Sequence, residues 1–286
     1  MVAMHPIARA LHARVPDPRR VDDYYAPLGI WCASRITARG PSPGRAWVLG
    51  LQGPQGCGKS TLAAALVDAL GDVGVRGVTV SIDDFYLTYE EQRALAARHA
   101  GNPYLLYRGY PGTHDVALGL RTIEALAALR ADETTLVPVY DKSAHLGRGD
   151  RAPPSSWRRV TGPVEVLVLE GWMLGFAPVE EASLEPDLRA PNALLAAYGA
   201  WNATLDAFLG LRASSLDSIV RWRVDSERAR RARGETALSD EDARDYIERC
   251  LPAYRVYVPA LAARPPCDDT RWIELGEDRL PVAPLH

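Results

Sequence analysis

The stretch "GPQGCGKS", Gly53 to Ser60, concentrates residue types that bind anions. Its glycines let backbone N–H groups approach phosphate oxygens closely, some at positive φ. A helix beginning at the end of the stretch would turn its positive end toward the same oxygens. In this pattern a lysine reaches the β- and γ-phosphates and a Ser hydroxyl binds Mg²⁺. The expected nucleotide-binding loop is thus Gly53, Pro54, Gln55, Gly56, Cys57, Gly58, Lys59, Ser60 and Thr61, with Lys59 and Ser60 in those two roles.

Carboxylates follow at informative places. Glu170 ends the apolar run "VEVLVLEG", where an acid beside a phosphate loop organises Mg²⁺ or its water shell. "SIDDFYLT" puts Asp83 and Asp84 at the end of another run. A kinase acting on an alcohol must hold the hydroxyl in line with the γ-phosphate and accept its proton, and Asp83 is the expected base. Asp84 either orients the acceptor or caps the next helix.

The chain has 33 Lys plus Arg, and only two of these, Lys59 and Lys142, are lysines. Arginine does the generic surface work, so both ammonium groups are expected where a compact point charge is needed. Lys142 therefore belongs with Lys59. Arg108, Lys142, Arg148 and Arg151 offer cations for an acceptor carboxylate or the transferring phosphoryl group. His114, Asp115, Tyr140 and His145 offer contacts to hydroxyls, with Tyr86 beside the aspartates.

These residues need elements to bring them together. "AWVLGLQG" reads as a buried strand running into the loop, and "KSTLAAALVDAL" as the helix after it. "GVTVSIDDFY", "TTLVPVY", "VEVLVLEGW", "SIVRWRV" and "TRWIEL" read as further strands, the last at an edge. Residues 116–131 and 192–211 read as helices, and 240–263 as one long helix with Pro252 as a kink. Strands alternating with helices predict a mainly parallel sheet with helices on both faces, a three-layer α/β sandwich. Ligands then bind at the carboxyl ends of the strands, where Asp83, Tyr140 and Glu170 all fall. One or two helices and the loop "RGPSPGR" precede the first strand, giving an N-terminal helical extension at 1–45 and a main domain at 46–286.

With 286 residues and 47% hydrophobic content, the chain can bury a large core. The net charge of -3 gives no general attraction to nucleic acid or an anionic membrane. No apolar run approaches the roughly 20 residues of a membrane span. The four cysteines lack metal-like spacing and read as free thiols in a reducing compartment, the cytoplasm.

Together, "GPQGCGKST", "SIDDFYLT", "YRGYPGTHD", "YDKSAHLGRGDRAP" and "LEGWMLGF" resemble the D-glycerate 3-kinase family. That family lies among the P-loop kinases related to uridine, phosphoribulose and pantothenate kinases. The resemblance spans about residues 50–175 and weakens to about 260. It implies ATP and Mg²⁺ as cofactors and transfer to the 3-hydroxyl of D-glycerate. It also implies a catalytic aspartate at Asp83 and a strand-end acid at Glu170, with acceptor contacts from Asp115, Tyr140 and His145. The basic stretch with Arg228, Arg230 and Arg231 resembles a mobile lid, at about 225–240, which would close to exclude water; an ion-paired surface helix is its plainer reading. The rival functions are a kinase for another small acceptor (nucleoside, sugar phosphate or pantothenate-like) and an ATP-binding regulatory protein.

Overall fold

The computed structural model describes residues 4–40 and 44–285, so part of "RGPSPGR" lies outside the described residues. The strands in chain order are β1 (Trp47–Gln52), β2 (Gly77–Ser81), β3 (Thr134–Val137), β4 (Tyr140–Asp141), β5 (Asp150–Arg151), β6 (Arg158–Thr161), β7 (Val166–Gly171), β8 (Ala207–Ala213) and β9 (Thr270–Leu275). The helices are α1 (Pro6–His12), α2 (Pro18–Arg20), α3 (Ala26–Ala38), α4 (Lys59–Asp72), α5 (Tyr89–Arg98), α6 (Val116–Ala127), α7 (Pro186–Leu194), α8 (Gly199–Asn202), α9 (Leu216–Ala232), α10 (Asp240–Glu248) and α11 (Leu251–Ala263). A π turn, Val21–Tyr25, joins α2 to α3.

Five strands form one sheet in the order β2-β7-β1-β8-β9. Every pairing in it is parallel, with Trp47 opposite Val166 and Leu49 opposite Ala207. The central strands are buried on both faces, which is why they read as unbroken apolar runs. Alternate residues still go to opposite sides. Val48, Leu167, Leu169 and Phe208 pack into a core with α6 and α11, whereas Leu49, Leu51, Val168 and Leu209 pack with α1, α3 and α4. The N-terminal helices therefore cover the α4 face of the sheet.

Four expectations about elements change. "SIVRWRV" is helix, not strand: Val220, Trp222 and Val224 alternate with arginines, but the Ser215 hydroxyl accepts the Ser218 N–H and caps α9. Residues 192–211 are not all helical, because 207–213 form β8, whose first five residues are all buried and show no period. Pro252 does not kink one helix. It sits in the first turn of α11, where its missing N–H costs nothing, and α10 ends before it. Lastly, Tyr140 does not end a strand of the sheet. β4 pairs antiparallel with β5 in a two-stranded ribbon, and β3 pairs with β6 in another.

Candidate active site

The phosphate loop leaves the C-terminal end of β1, the middle of the sheet. Gly56 and Gly58 have φ of +81° and +92°. A Cβ on Gly56 would lie 2.6 Å from the Trp222 backbone, so α9 is seated directly against the loop. The Gln55 side chain is buried and accepts a hydrogen bond from the Tyr254 hydroxyl of α11. The Gly56 carbonyl accepts a 2.8 Å hydrogen bond from Arg279 Nε. Cys57 is buried, and burial pushes its thiol pKa up, so it packs as a small apolar group.

Register places Leu51 opposite Glu170, so Glu170 stands beside the loop. The Ser60 hydroxyl donates to Glu170 Oε1 at 2.9 Å, and Lys59 Nζ lies 3.8 Å from Oε2. Glu170 is 5% exposed and its Oε2 has no hydrogen-bond partner. A buried carboxylate oxygen without a donor is costly unless a cation or its water shell satisfies it. No cluster of three or more His, Cys, Asp or Glu suited to a metal occurs among the described residues. The Ser60 hydroxyl and Glu170 carboxylate suit Mg²⁺, which dehydrates reluctantly and takes one or two protein groups plus phosphate oxygens. Burial works against the charge on Lys59, but Glu170, Cys57 and Asp83 outweigh it and hold the pKa above its usual value.

Asp83 and Asp84 lie in a 3₁₀ turn, Ile82–Phe85, directly after β2. The Ser81 hydroxyl caps this turn by accepting the Asp83 N–H. Asp83 Oδ2 lies 2.5 Å from Lys142 Nζ. Burial disfavours its charge, yet Lys142, then Lys59 and His114, hold the carboxyl well below the usual range. Asp84 responds the other way: burial and the neighbouring Asp83 charge push it up to about 6. The structure thus brings both lysines of the chain to one aspartate, Lys142 by contact and Lys59 through its field.

Around Asp83 the expected acceptor residues divide. His114 stacks on Tyr86 at 4.3 Å, and Tyr86 meets Tyr140 edge-on at 5.3 Å. His114 Nδ1 bonds the Tyr198 hydroxyl at 2.8 Å, while its buried Nε2 has no partner. Burial, opposed by Asp83, brings the His114 pKa down to about 3, so the ring is neutral at pH 7. Asp115 caps α6 through the Leu118 N–H and faces Arg151 at 3.4 Å; Arg151 also donates to the Tyr86 carbonyl. Both hold the site's walls in place. Arg108 does the same for the ribbon, donating to the carbonyls of Gly147 and Arg148. His145 stacks on Tyr89 at 3.9 Å and contacts Asp150 at 3.0 Å. Arg148 lies over the Tyr107 ring at 5.2 Å.

The lid arginines turn elsewhere. Arg228 and Arg231 contact Asp240, and Arg230 contacts Glu227 and Glu235, so in this conformation they stitch α9 to the start of α10. Two other residues of this region face the site and carried no sequence signal. Arg223 is held by the buried Glu227 at 2.6 Å and lies over the Tyr246 ring at 4.9 Å. Its charge reaches Lys59, and the Tyr246 hydroxyl feels Arg223, Asp83 and Arg108. Reading "SIVRWRV" as a strand hid Arg223; placed on a helix, it lies one residue past the contact with Gly56.

A glycine loop between a central parallel strand and a helix, with Lys59 and Ser60 beside a strand-end glutamate and an aspartate in the turn after β2, defines a phosphate-loop kinase. The Phosphoribulokinase / Uridine kinase family profile matches residues 48–179. A chloroplastic D-glycerate 3-kinase of Arabidopsis thaliana is 38% identical over 95% of this chain, which spans 63% of that relative's length. An uncharacterized kinase of Schizosaccharomyces pombe, mug58, is 36% identical over 85% of this chain and 92% of its own. The structure of D-glycerate 3-kinase from Cryptococcus neoformans superposes with a TM-score of 0.79 at 27% identity, covering 91% of this chain and 97% of that one. The chain belongs to the family of P-loop kinases that includes mug58, and it is similar to D-glycerate 3-kinases in sequence and fold. No helix among the described residues is long and apolar enough to cross a membrane.

Proposed function

We propose that the protein transfers the γ-phosphoryl group of ATP to the 3-hydroxyl of D-glycerate, giving 3-phosphoglycerate and ADP. The observation that carries this reading is the Asp83–Lys142 pair, 2.5 Å apart, beside the phosphate loop. A small hydroxy acid needs a cation for its carboxylate and a base for its hydroxyl, close together. Two carbons separate these groups in glycerate. An ammonium already within hydrogen-bond distance of Asp83 can hold the carboxylate while the hydroxyl reaches that aspartate.

Asp83 accepts the hydroxyl proton as the oxygen attacks. It is fully ionised at pH 7, so it is ready to accept but binds the proton weakly. That suits a loose transition state, in which the proton leaves late. Lys59 follows the charge that develops on the transferring phosphoryl oxygens. Mg²⁺ bound with ATP would be held by Ser60 and, directly or through water, by Glu170, and would neutralise phosphate charge. His114, neutral and with Nε2 unsatisfied, offers one hydrogen bond to an acceptor hydroxyl. The segment at about 225–240 acts as the lid, and Arg223, just before it on α9, borders the phosphate loop.

The test is ATP consumption by the purified protein with D-glycerate, L-glycerate, uridine, pantothenate, ribulose 5-phosphate or no acceptor. The expected result is turnover with D-glycerate and product phosphorylated at the 3-position. Turnover with another acceptor would keep the mechanism and remove glycerate. Equal slow hydrolysis in every tube would point to a regulatory ATP-binding protein.

A further inference from the structure

We propose, on the reading that D-glycerate is the acceptor, that Tyr198 is a positioning residue: its hydroxyl fixes the tautomer of His114, whose Nε2–H then binds the 2-hydroxyl of glycerate and selects one enantiomer.

Backbone pairing puts His114 in place. The Leu87 N–H donates to the Thr113 carbonyl at 2.9 Å, and the Asp115 N–H donates to the Phe85 carbonyl at 2.8 Å. His114 therefore forms an antiparallel bridge with Tyr86, shortly after Asp83 in the chain, and the two rings stack. The Asp83 charge reaches the ring, so the imidazole and the proposed base are neighbours.

The proton on Tyr198 decides which nitrogen of His114 is a donor. The Tyr198 hydroxyl oxygen accepts the Gly112 N–H at 2.9 Å and lies 2.8 Å from His114 Nδ1. A phenol has one proton to give. Given to Nδ1, it satisfies both groups. In the reverse arrangement, with Nδ1–H donating, the Tyr198 proton has no acceptor among the described residues, on a buried side chain. The neutral ring thus carries its proton on Nε2. That nitrogen is buried and has no partner. A donor left unpaired is costly until a ligand oxygen meets it.

The shape of glycerate supplies that oxygen. In the proposed reaction the 3-hydroxyl faces Asp83 and the carboxylate faces Lys142. The group left on the central carbon is the 2-hydroxyl. With two groups held, one enantiomer turns this hydroxyl toward His114 and the other turns a hydrogen there. A fixed N–H rewards an oxygen lone pair and is left unpaired by a hydrogen. A ring free to exchange tautomers would be a donor for only part of the time and would discriminate less.

The test compares D-glycerate, L-glycerate and 3-hydroxypropionate, which lacks the 2-hydroxyl. In the parent, kcat/KM is expected to be about tenfold or more higher with D-glycerate than with either analogue. Tyr198→Phe keeps the ring against Trp201 and removes the proton. It is expected to raise the KM for D-glycerate and cut both ratios about fivefold, with the KM for ATP changed by less than about twofold. Nitrogen-15 NMR of the histidines adds a readout that needs no change at Tyr198. The His114 signals, identified by their loss in His114→Gln, should show Nε2 protonated and Nδ1 bare in the parent, and a mixture in Tyr198→Phe. A parent ring protonated on Nδ1 overturns the proposal. So does a Tyr198→Phe enzyme whose ratios are unchanged, whether or not it is slower on all three acceptors. A parent that phosphorylates an unrelated acceptor and none of these three removes the D-glycerate reading, and the 2-hydroxyl contact with it, a result distinct from either of those.

Discussion

In the proposed reaction the phosphate loop and the β4–β5 ribbon serve its two halves on different physical terms. The loop is anchored from below by the core: Gln55 to Tyr254, Gly56 to the backbone of α9, Glu170 to Ser60. The ribbon turn between β4 and β5 stands out in solvent. His145, Leu146, Gly147 and Gly149 all have φ between +51° and +87°, and Leu146 is fully exposed. A side-chain-bearing residue in that conformation costs about 1–2 kcal/mol, and Arg108 offsets this through the carbonyls of 147 and 148. A triphosphate is the same in every reaction of a kinase, so a fixed backbone cradle suits it. On the proposed reading the acceptor meets side chains on a surface loop, the part of a fold that tolerates change.

The contrast can be broken at its strongest point first. Asp83→Asn is expected to lower turnover by about 10²–10⁴-fold while ATP affinity stays nearly constant, because it removes the proton acceptor alone. Steady-state kinetics with direct ATP titration checks this; a collapse of ATP binding would make Asp83 a structural or metal residue. Lys59→Met is expected to cost about 10²–10³-fold in kcat through lost phosphoryl stabilisation, and near-normal kcat would deny the loop its role. Gly56→Ala tests the rigid half. Its Cβ meets backbone 2.6 Å away at φ +81°, so a lower Tm and weaker ATP binding should appear together. An unchanged melt would mean that α9 can yield.

Lys142→Met sharpens the other half. Lys142 is what holds Asp83 low against burial, so its loss raises that pKa. Asp83 must be ionised to accept a proton; the acid limb of the pH–rate profile should therefore move to higher pH, with a raised KM for the acceptor. The smallest effect concerns Asp84. Its folded pKa of about 6 lies above its ordinary 3.8, so the folded state binds more protons between these values. Stability then falls as pH rises from 3.8 through about 6. Denaturant titrations of Asp84→Asn across that window should show a flatter dependence than the parent.

The same contrast explains what could be read in advance. The loop, β1, α4, β2 and β7 were legible because their signals are local: glycine spacing, a lysine–serine pair, acids closing apolar runs. The convergence of Lys59, Lys142 and Asp83 was legible too, through the scarcity of lysine. Less followed from the sequence where burial hides the period. β8 is apolar on both faces, and α9 presents alternating valine, tryptophan and arginine that imitate a strand. Arg223 was lost with α9. Asp115 and Arg151 read as ligand groups, and the structure adds that they face each other at 3.4 Å, a pairing that only tertiary geometry reveals.

The hydrogen bond from Arg279 to Gly56 also orders events in time. Its two ends are 223 residues apart. At about 5–20 residues per second, the ribosome delivers Arg279 roughly 10–45 s after the phosphate loop. A nascent chain can therefore form the glycine loop, β2 and β7 well before it has the clasp that fixes the Gly56 carbonyl. A chain that stops short of Arg279 lacks this clasp on the loop and is expected to grip ATP more loosely than one that includes it.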